Sequence, residues 1–131
     1  MKNKFLLSFA ILLVALFQSC NSNSQVAKGV KNVNQTEFHK LAKEANTVII
    51  DVRTPAEVSQ GYIDGATLFI DYNGSNFESK IEKLDKSKSY IVYCRSGGRS
   101  ANASALMAEK GFKKVYNLEG GISNYAGAIK K

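Results

Sequence analysis

The stretch that decides the fold is "YIVYCRSGGRSANASALMAEKG", residues 90–111. It opens with an apolar run of β-branched and aromatic residues that ends at Cys94 and is typical of a buried strand. Two glycines and two arginines follow, and then an alanine-rich pattern predicts a helix that Gly111 ends as a C-cap. Cys94 is therefore predicted to lie where a strand passes into a helix.

Extended and helical patterns alternate along the rest of the chain. The predicted strands are 29–33, 47–52, 66–70, 89–94 and 114–118. The predicted helices are 34–45, 55–60, 76–84, 99–111 and 120–131. This alternation predicts an α/β fold, with a central parallel sheet flanked by helices on both faces.

The residues that follow Cys94 predict a reactive thiol. In a parallel α/β sheet, ligands bind beyond the carboxyl ends of the strands. Gly97 and Gly98 let the backbone curl so that its N–H groups face the sulfur, next to a helix N-terminus. Arg95 and Arg99 add positive charge, and such surroundings lower a cysteine pKa from about 8.5 to about 3.5–7.5. We expect a thiolate nucleophile without a histidine base; an inert buried cysteine beside a chance glycine turn is the alternative.

The count of cysteine and histidine residues excludes a conventional metal site. The sequence has two cysteines, Cys20 and Cys94, and one histidine, His39. They are far apart in sequence and have no metal-ligand spacing, so we expect no metal and no cofactor. His39 lies in the middle of a predicted helix, away from every motif, and is expected on the surface.

The first 20 residues predict export. Lys2 and Lys4 precede the apolar run 5–17, which is shorter than the roughly 20 residues of a membrane-spanning helix and is typical of a secretory signal. "LFQSC" puts Cys20 before a polar linker and resembles the lipobox of bacterial lipoproteins. The alternatives are ordinary cleavage, with Cys20 incidental, and a signal anchor that is left in place. The predicted segments are a signal peptide (1–19), a lipid-anchored tether (20–29) and a folded domain (30–131) in the periplasm.

The basic charge of the chain does not predict a nucleic-acid partner. Losing Lys2 and Lys4 with the signal reduces the formal charge from +7 to +5. No run of like charges and no interleaving of aromatic and basic residues marks a nucleic-acid surface. We expect a solvated, lysine-rich surface and a membrane contact through the lipid anchor only.

Four motifs together resemble the rhodanese family of sulfurtransferases over about residues 30–128. They are "DVRTPAEV" from Asp51, "GYIDGA" from Gly61, the "CRSGGRS" loop from Cys94 and "LEGGISNY" from Leu118, in the family's order and spacing. The resemblance implies the rhodanese-like fold. It also implies transfer of a sulfane sulfur from thiosulfate or a similar anionic donor to cyanide or a thiol, through a cysteine persulfide.

The resemblance also implies the roles of the site residues. Cys94 would be the nucleophile and would carry the persulfide. Substrate would be bound by Arg95, Ser96, Gly97, Gly98 and Arg99. The two arginines would orient the anionic donor. The loop would be supported from the neighbouring strand by Asp51, Arg53 and Glu57. A thioredoxin-like or other thiol protein is a further expected partner. Tyr62 and Tyr125 stand where the family commonly has histidine and tryptophan, and we expect both to pack structurally.

The length of the loop distinguishes two alternatives. Cys94 and Arg99 bracket four residues. The related dual-specificity phosphatases and arsenate reductases have a loop with five residues between cysteine and arginine. That loop is wide enough for a tetrahedral oxyanion. The shorter loop favours sulfur transfer over a phosphatase or an arsenate reductase. A non-enzymatic persulfide carrier or interaction module stays open, because the sequence names no acceptor.

Overall fold

The computed structural model describes residues 26–131, so the predicted signal peptide and Cys20 lie outside the described residues. The strands are β1 Val30–Val33, β2 Thr47–Asp51, β3 Tyr62–Ile63, β4 Ala66–Phe69, β5 Ser89–Tyr93, β6 Lys114–Leu118 and β7 Ile129–Lys130. The helices are α1 Gln35–Leu41, α2 Pro55–Ser59, α3 Phe77–Ile81, α4 Gly98–Glu109 and a 3₁₀ helix Ile122–Asn124. Among these helices, none is long and apolar enough to span a bilayer.

Five strands form a parallel sheet in the order β1-β6-β5-β2-β4. Strand β5 occupies the middle of the sheet and all five of its residues are buried. Crossovers through helices connect the strands, as parallel pairing requires. The predicted α/β architecture is confirmed, and it places Cys94 directly after the central strand.

Alternate residues of β5 face opposite layers of helices, because successive side chains of a strand point to opposite faces. Val92 packs in a cluster with Met107 of α4 and side chains of α3. Ile91 packs in a second cluster with Phe38 of α1. Apolar burial on both faces therefore fixes the position and direction of β5 in the sheet. It thereby fixes the position of Cys94, the residue that follows β5.

Capping interactions are present at the start of α1 and, as Gly111 predicts, at the end of α4. Asn34 accepts a hydrogen bond from the N–H of Glu37 at 3.0 Å and donates its own N–H to the Glu37 carboxylate at 3.1 Å, which is a capping box. The chain leaves α4 through Gly111, whose φ is +95°. Phe112 then packs back into the core and is 2% exposed.

The helix predicted over 120–131 is wrong. Only Ile122–Asn124 is helical, and the chain then runs extended into β7, which pairs antiparallel with β3. Tertiary hydrogen bonds override the local pattern here: the side-chain oxygen of Gln35 accepts from the N–H of Ala126 at 2.9 Å. A pair of two-residue strands has no periodicity from which it could be predicted.

The turn after β6 lies against the loop that follows β5. The N–H groups of Ile122 and Ser123 donate to the carbonyl oxygens of Cys94 and Arg95, both at 3.0 Å. Gly121 makes this approach possible: its φ is +57°, and a Cβ there would lie 2.6 Å from the Arg95 oxygen. Glycine is therefore required at this position for two reasons, the backbone conformation and the space.

We predict that Gly121→Ala lowers the free energy of unfolding, because the left-handed conformation alone costs about 1–3 kcal/mol and the overlap with Arg95 adds to it. Gly98→Ala is the matched control. A Cβ at Gly98 would meet no heavy atom within 4 Å, and alanine gains up to about 1 kcal/mol over glycine in a helix. Urea unfolding followed by circular dichroism gives both values. Equal changes in the two variants would contradict the role of Gly121.

Candidate active site

Cys94 is buried at the junction between β5 and α4, and its side chain is 1% exposed. Gly97 adopts φ +106° as the residue that precedes α4. In this conformation the N–H of Gly97 donates to the Cys94 sulfur at 3.1 Å. The loop therefore turns at least one backbone donor inward onto the sulfur, as expected for glycine at this place in the motif.

Ser100 is a site residue that the sequence analysis did not single out. Its hydroxyl lies within hydrogen-bond distance of two acceptors, the Cys94 sulfur at 3.3 Å and the carbonyl oxygen of Gly97 at 3.2 Å, and the residue is fully buried. The sequence signal for this role was a serine in the first turn of the predicted helix, which is the turn nearest Cys94. The hydroxyl supplies a second donor to the sulfur from within α4.

The surroundings of Cys94 favour its ionised form. Burial raises the pKa of the thiol, but the hydroxyl of Ser100 and the N–H groups of Ser100, Gly97 and Ser96 lower it by more. The net result is a pKa below the ordinary cysteine value. His39, the one histidine of the sequence, lies exposed on α1 as expected, so hydrogen bonds, and not a histidine base, favour the thiolate.

Arg99 ties the end of the loop to α2. Its two terminal nitrogens donate to the two carboxylate oxygens of Glu57, each at 2.8 Å. Hydrogen bonding from Arg99 lowers the pKa of Glu57 to about 2 against the effect of burial, and Thr54 at the start of α2 contributes as well. That Arg99 orients the donor stays a prediction; the geometry shows a guanidinium already bonded to α2.

Asp51 and Arg53 form a buried pair, 2.7 Å apart, beside the end of β5. Arg53 also donates to the carbonyl oxygen of Gly61 at 2.7 Å, and its guanidinium lies over the ring of Tyr93. The Tyr93 hydroxyl accepts from the N–H of Ile63 at 3.0 Å. The pair thus fixes β3 and the residue that precedes Cys94. Within residues 26–131, neither member of the pair makes a hydrogen bond to the Cys94 sulfur.

Tyr62 and Tyr125 both pack against aromatic neighbours. The ring of Tyr62 meets Phe69 edge-on at 4.9 Å between centroids, and Tyr125 meets Phe38 edge-on at 5.5 Å. Both side chains are half-buried. These contacts agree with the structural packing expected at the two positions where the sequence departs from the family pattern.

A cleft of about 470 Å³ lies beside the loop, between α2 and the 3₁₀ helix. Its wall includes Gln60, Arg95, Ile122, Ser123, Tyr125 and Ile129. Because Arg95 directly follows Cys94, the cleft adjoins the loop that contains the cysteine.

Comparison with known proteins identifies the family. The model of the Rhodanese-like domain matches residues 34–128, and the chain belongs to this sulfurtransferase family. A "Sulfurtransferase" of Allochromatium vinosum is 34% identical over 87 residues, which cover 66% of this chain and 78% of that protein.

Two further relatives show how far the likeness extends. A tRNA uridine(34) hydroxylase of Pelagibacter ubique is 35% identical over 107 residues, 80% of this chain but 36% of that protein. The chain thus spans about a third of the length of that hydroxylase. The crystal structure of a rhodanese-related protein from Thermoplasma volcanium superposes with a TM-score of 0.66 at 27% identity, covering 76% of this chain and 97% of that one.

We predict that Ser100→Ala moves the pH profile of Cys94 alkylation to higher pH, because the thiolate loses a hydrogen-bond donor. The rate of reaction with iodoacetamide, measured across pH, reports the ionised fraction. Ser104→Ala is the matched control: Ser104 is also fully buried on α4, but its hydroxyl makes no hydrogen bond within residues 26–131. If all three proteins share one profile, the hydroxyl of Ser100 does not stabilise the thiolate.

Proposed function

We propose that the chain is a thiosulfate-type sulfurtransferase that works through a persulfide on Cys94. One observation carries the proposal: Cys94 is 1% exposed, yet its sulfur accepts hydrogen bonds from the N–H of Gly97 at 3.1 Å and the hydroxyl of Ser100 at 3.3 Å, and these bonds lower the pKa of the thiol. A thiolate is the form of cysteine that attacks sulfur. A cysteine buried only for packing would have its pKa raised.

Two displacements at sulfur account for the reaction. The Cys94 thiolate attacks the sulfane sulfur of thiosulfate, the S–S bond of the donor breaks, and sulfite leaves with the electron pair. The product is a persulfide on Cys94, whose outer sulfur carries the negative charge. In the second step, cyanide or a thiolate attacks the outer sulfur and the electron pair returns to Cys94. Backbone N–H groups of the loop and the N-terminus of α4 suit the anionic species in both steps.

The burial of Cys94 determines what an acceptor can reach. The outer sulfur of a persulfide stands about 2 Å beyond the cysteine sulfur. Transfer of the outer atom therefore needs no exposure of the cysteine sulfur itself. The same burial disfavours direct attack on Cys94 by a bulky reagent.

The geometry favours sulfur transfer over the oxyanion chemistry of phosphatases and arsenate reductases. Those enzymes need a wide loop and an arginine that is free to hold the oxyanion. Here the loop has four residues between Cys94 and Arg99, and Glu57 occupies both terminal nitrogens of Arg99.

Treatment of the purified protein with thiosulfate should add one sulfur atom to Cys94, because its thiolate displaces sulfite. Cyanide should remove that atom as thiocyanate. Intact-mass spectrometry measures the adduct, and Cys94→Ser is the control, since a serine hydroxyl is not ionised at neutral pH and forms no persulfide.

Two other outcomes would each indicate a different function for the protein. Loading without turnover by cyanide or small thiols would replace the enzyme with a persulfide carrier that needs a partner protein. Hydrolysis of an aryl phosphate that depends on Cys94, with no loading by thiosulfate, would replace it with a phosphatase.

We further propose that the protein works in the periplasm, anchored to a membrane through lipid on Cys20. The support is the pattern of residues 1–25: a basic start, an apolar run and a cysteine before a polar linker. Membrane fractionation tests this proposal, because wild type should sediment with membranes and Cys20→Ala should not. A wild type found only in the soluble fraction would contradict the anchor and leave the enzymatic proposal unaffected.

A further inference from the structure

The cleft beside the loop has one positive charge without a partner. Three of its residues are charged at neutral pH, namely Arg53, Glu57 and Arg95. Arg53 is paired with Asp51 at 2.7 Å, and Glu57 with Arg99 at 2.8 Å. Arg95 is exposed, and within residues 26–131 its side chain makes neither a salt bridge nor a hydrogen bond. The cleft therefore attracts a single negative charge.

The remaining wall is partly apolar and partly polar. Ile122 and Ile129 supply hydrocarbon surface, and Ile129 is 44% exposed. Gln60 and Ser123 supply an amide and a hydroxyl. Ligand sites commonly combine apolar walls with a few polar groups that fix orientation. This wall suits a small molecule with a short hydrocarbon stem and one carboxylate.

The cleft lies directly beside Cys94. Arg95 follows Cys94, and consecutive Cα atoms are about 3.8 Å apart. Ile122 and Ser123 are bonded through their N–H groups to the carbonyl oxygens of Cys94 and Arg95, both at 3.0 Å. A ligand held by the Arg95 side chain therefore has its other end close to the mouth of the loop.

The cleft is larger than the sulfur donor requires. Thiosulfate reacts at the sulfur of Cys94, a residue that is 1% exposed and lies at the start of the loop. The volume of about 470 Å³ outside the loop is therefore available to the second substrate, which meets only the outer sulfur of the persulfide.

We propose that the cleft binds the sulfur acceptor, that this acceptor is a small thiol bearing a carboxylate, and that Arg95 binds the carboxylate. The inference rests on the proposed persulfide mechanism. In the transfer step the acceptor thiol loses its proton to solvent, and its sulfur bonds to the outer sulfur of the persulfide. The bond from Cys94 to that outer sulfur breaks, and its electron pair returns to Cys94. The acceptor leaves as a persulfide.

The test separates acceptor from donor by using protein that is already loaded. Wild type and Arg95→Gln are persulfidated with thiosulfate, freed of donor, and discharged in a single turnover. The two acceptors are 3-mercaptopropionate and its methyl ester, which lacks the charge. The measured quantity is the discharge rate constant with 3-mercaptopropionate divided by the rate constant with the methyl ester. Comparing this ratio between proteins cancels the intrinsic reactivity of the two thiols.

Arg95→Gln should lower this ratio about three- to tenfold, as expected for loss of a charge-assisted contact at an exposed site. Arg95→Lys should restore part of it, because the positive charge is kept. The wild-type ratio should also fall at an ionic strength of about 1 M, where the Debye length is about 3 Å.

Lys114→Gln is the matched control for charge. Lys114 is exposed at the start of β6, at the opposite end of the parallel sheet from Cys94, and its loss removes the same charge far from the cleft. An unchanged ratio in Arg95→Gln, or an equal fall in Lys114→Gln, would overturn the assignment of the cleft.

Cyanide separates failure of this inference from failure of the proposed function. If wild type neither loads with thiosulfate nor discharges to cyanide, the sulfurtransferase mechanism itself is wrong. If it loads and discharges to cyanide but Arg95→Gln leaves the preference between the two thiols unaltered, the mechanism stands and only the acceptor site is wrong.

Discussion

The hydrogen bonds to the Cys94 sulfur are the interaction on which the rest of the site depends. Cys94 is 1% exposed and has lost nearly all of its contact with water, and burial alone favours the protonated thiol. The hydroxyl of Ser100 and the N–H groups of the loop replace that water and outweigh the effect of burial. Without them, the same residue would be an inert part of the core.

Those donors point at the sulfur only because the loop is fixed from several directions. The turn at Gly121 packs against the backbone carbonyl groups at the start of the loop, where the N–H of Ile122 donates to the carbonyl oxygen of Cys94 at 3.0 Å. The bidentate pair of Arg99 and Glu57 fixes its far end to α2. Three of the four sequence motifs thus meet at one loop: the motif with the cysteine, the motif with Glu57 and the motif with Gly121. Much of the family pattern therefore maintains the geometry of one sulfur atom.

Sequence could predict the features that depend on local pattern. The alternation of strands and helices, the C-cap at Gly111 and the strand-to-helix junction at Cys94 are each specified by residues near in the chain. The pairing of β3 with β7 was not predicted, because it joins segments that are far apart in the chain. The contact of the Ser100 hydroxyl with the sulfur was not predicted either, because it depends on the direction in which the first turn of α4 places that side chain. The bidentate Arg99–Glu57 contact joins residues 42 positions apart, and sequence indicated only that Glu57 supports the region.

The central claim, that hydrogen bonds in the loop lower the pKa of the buried Cys94 thiol, can be measured directly in the unmodified protein. The ultraviolet absorbance of the thiolate is titrated against pH in wild type, and the titration of Cys94→Ser is subtracted to remove the tyrosines. We predict a midpoint below the ordinary pKa of cysteine, because the hydrogen bonds outweigh burial. A midpoint at or above the ordinary value would contradict this claim.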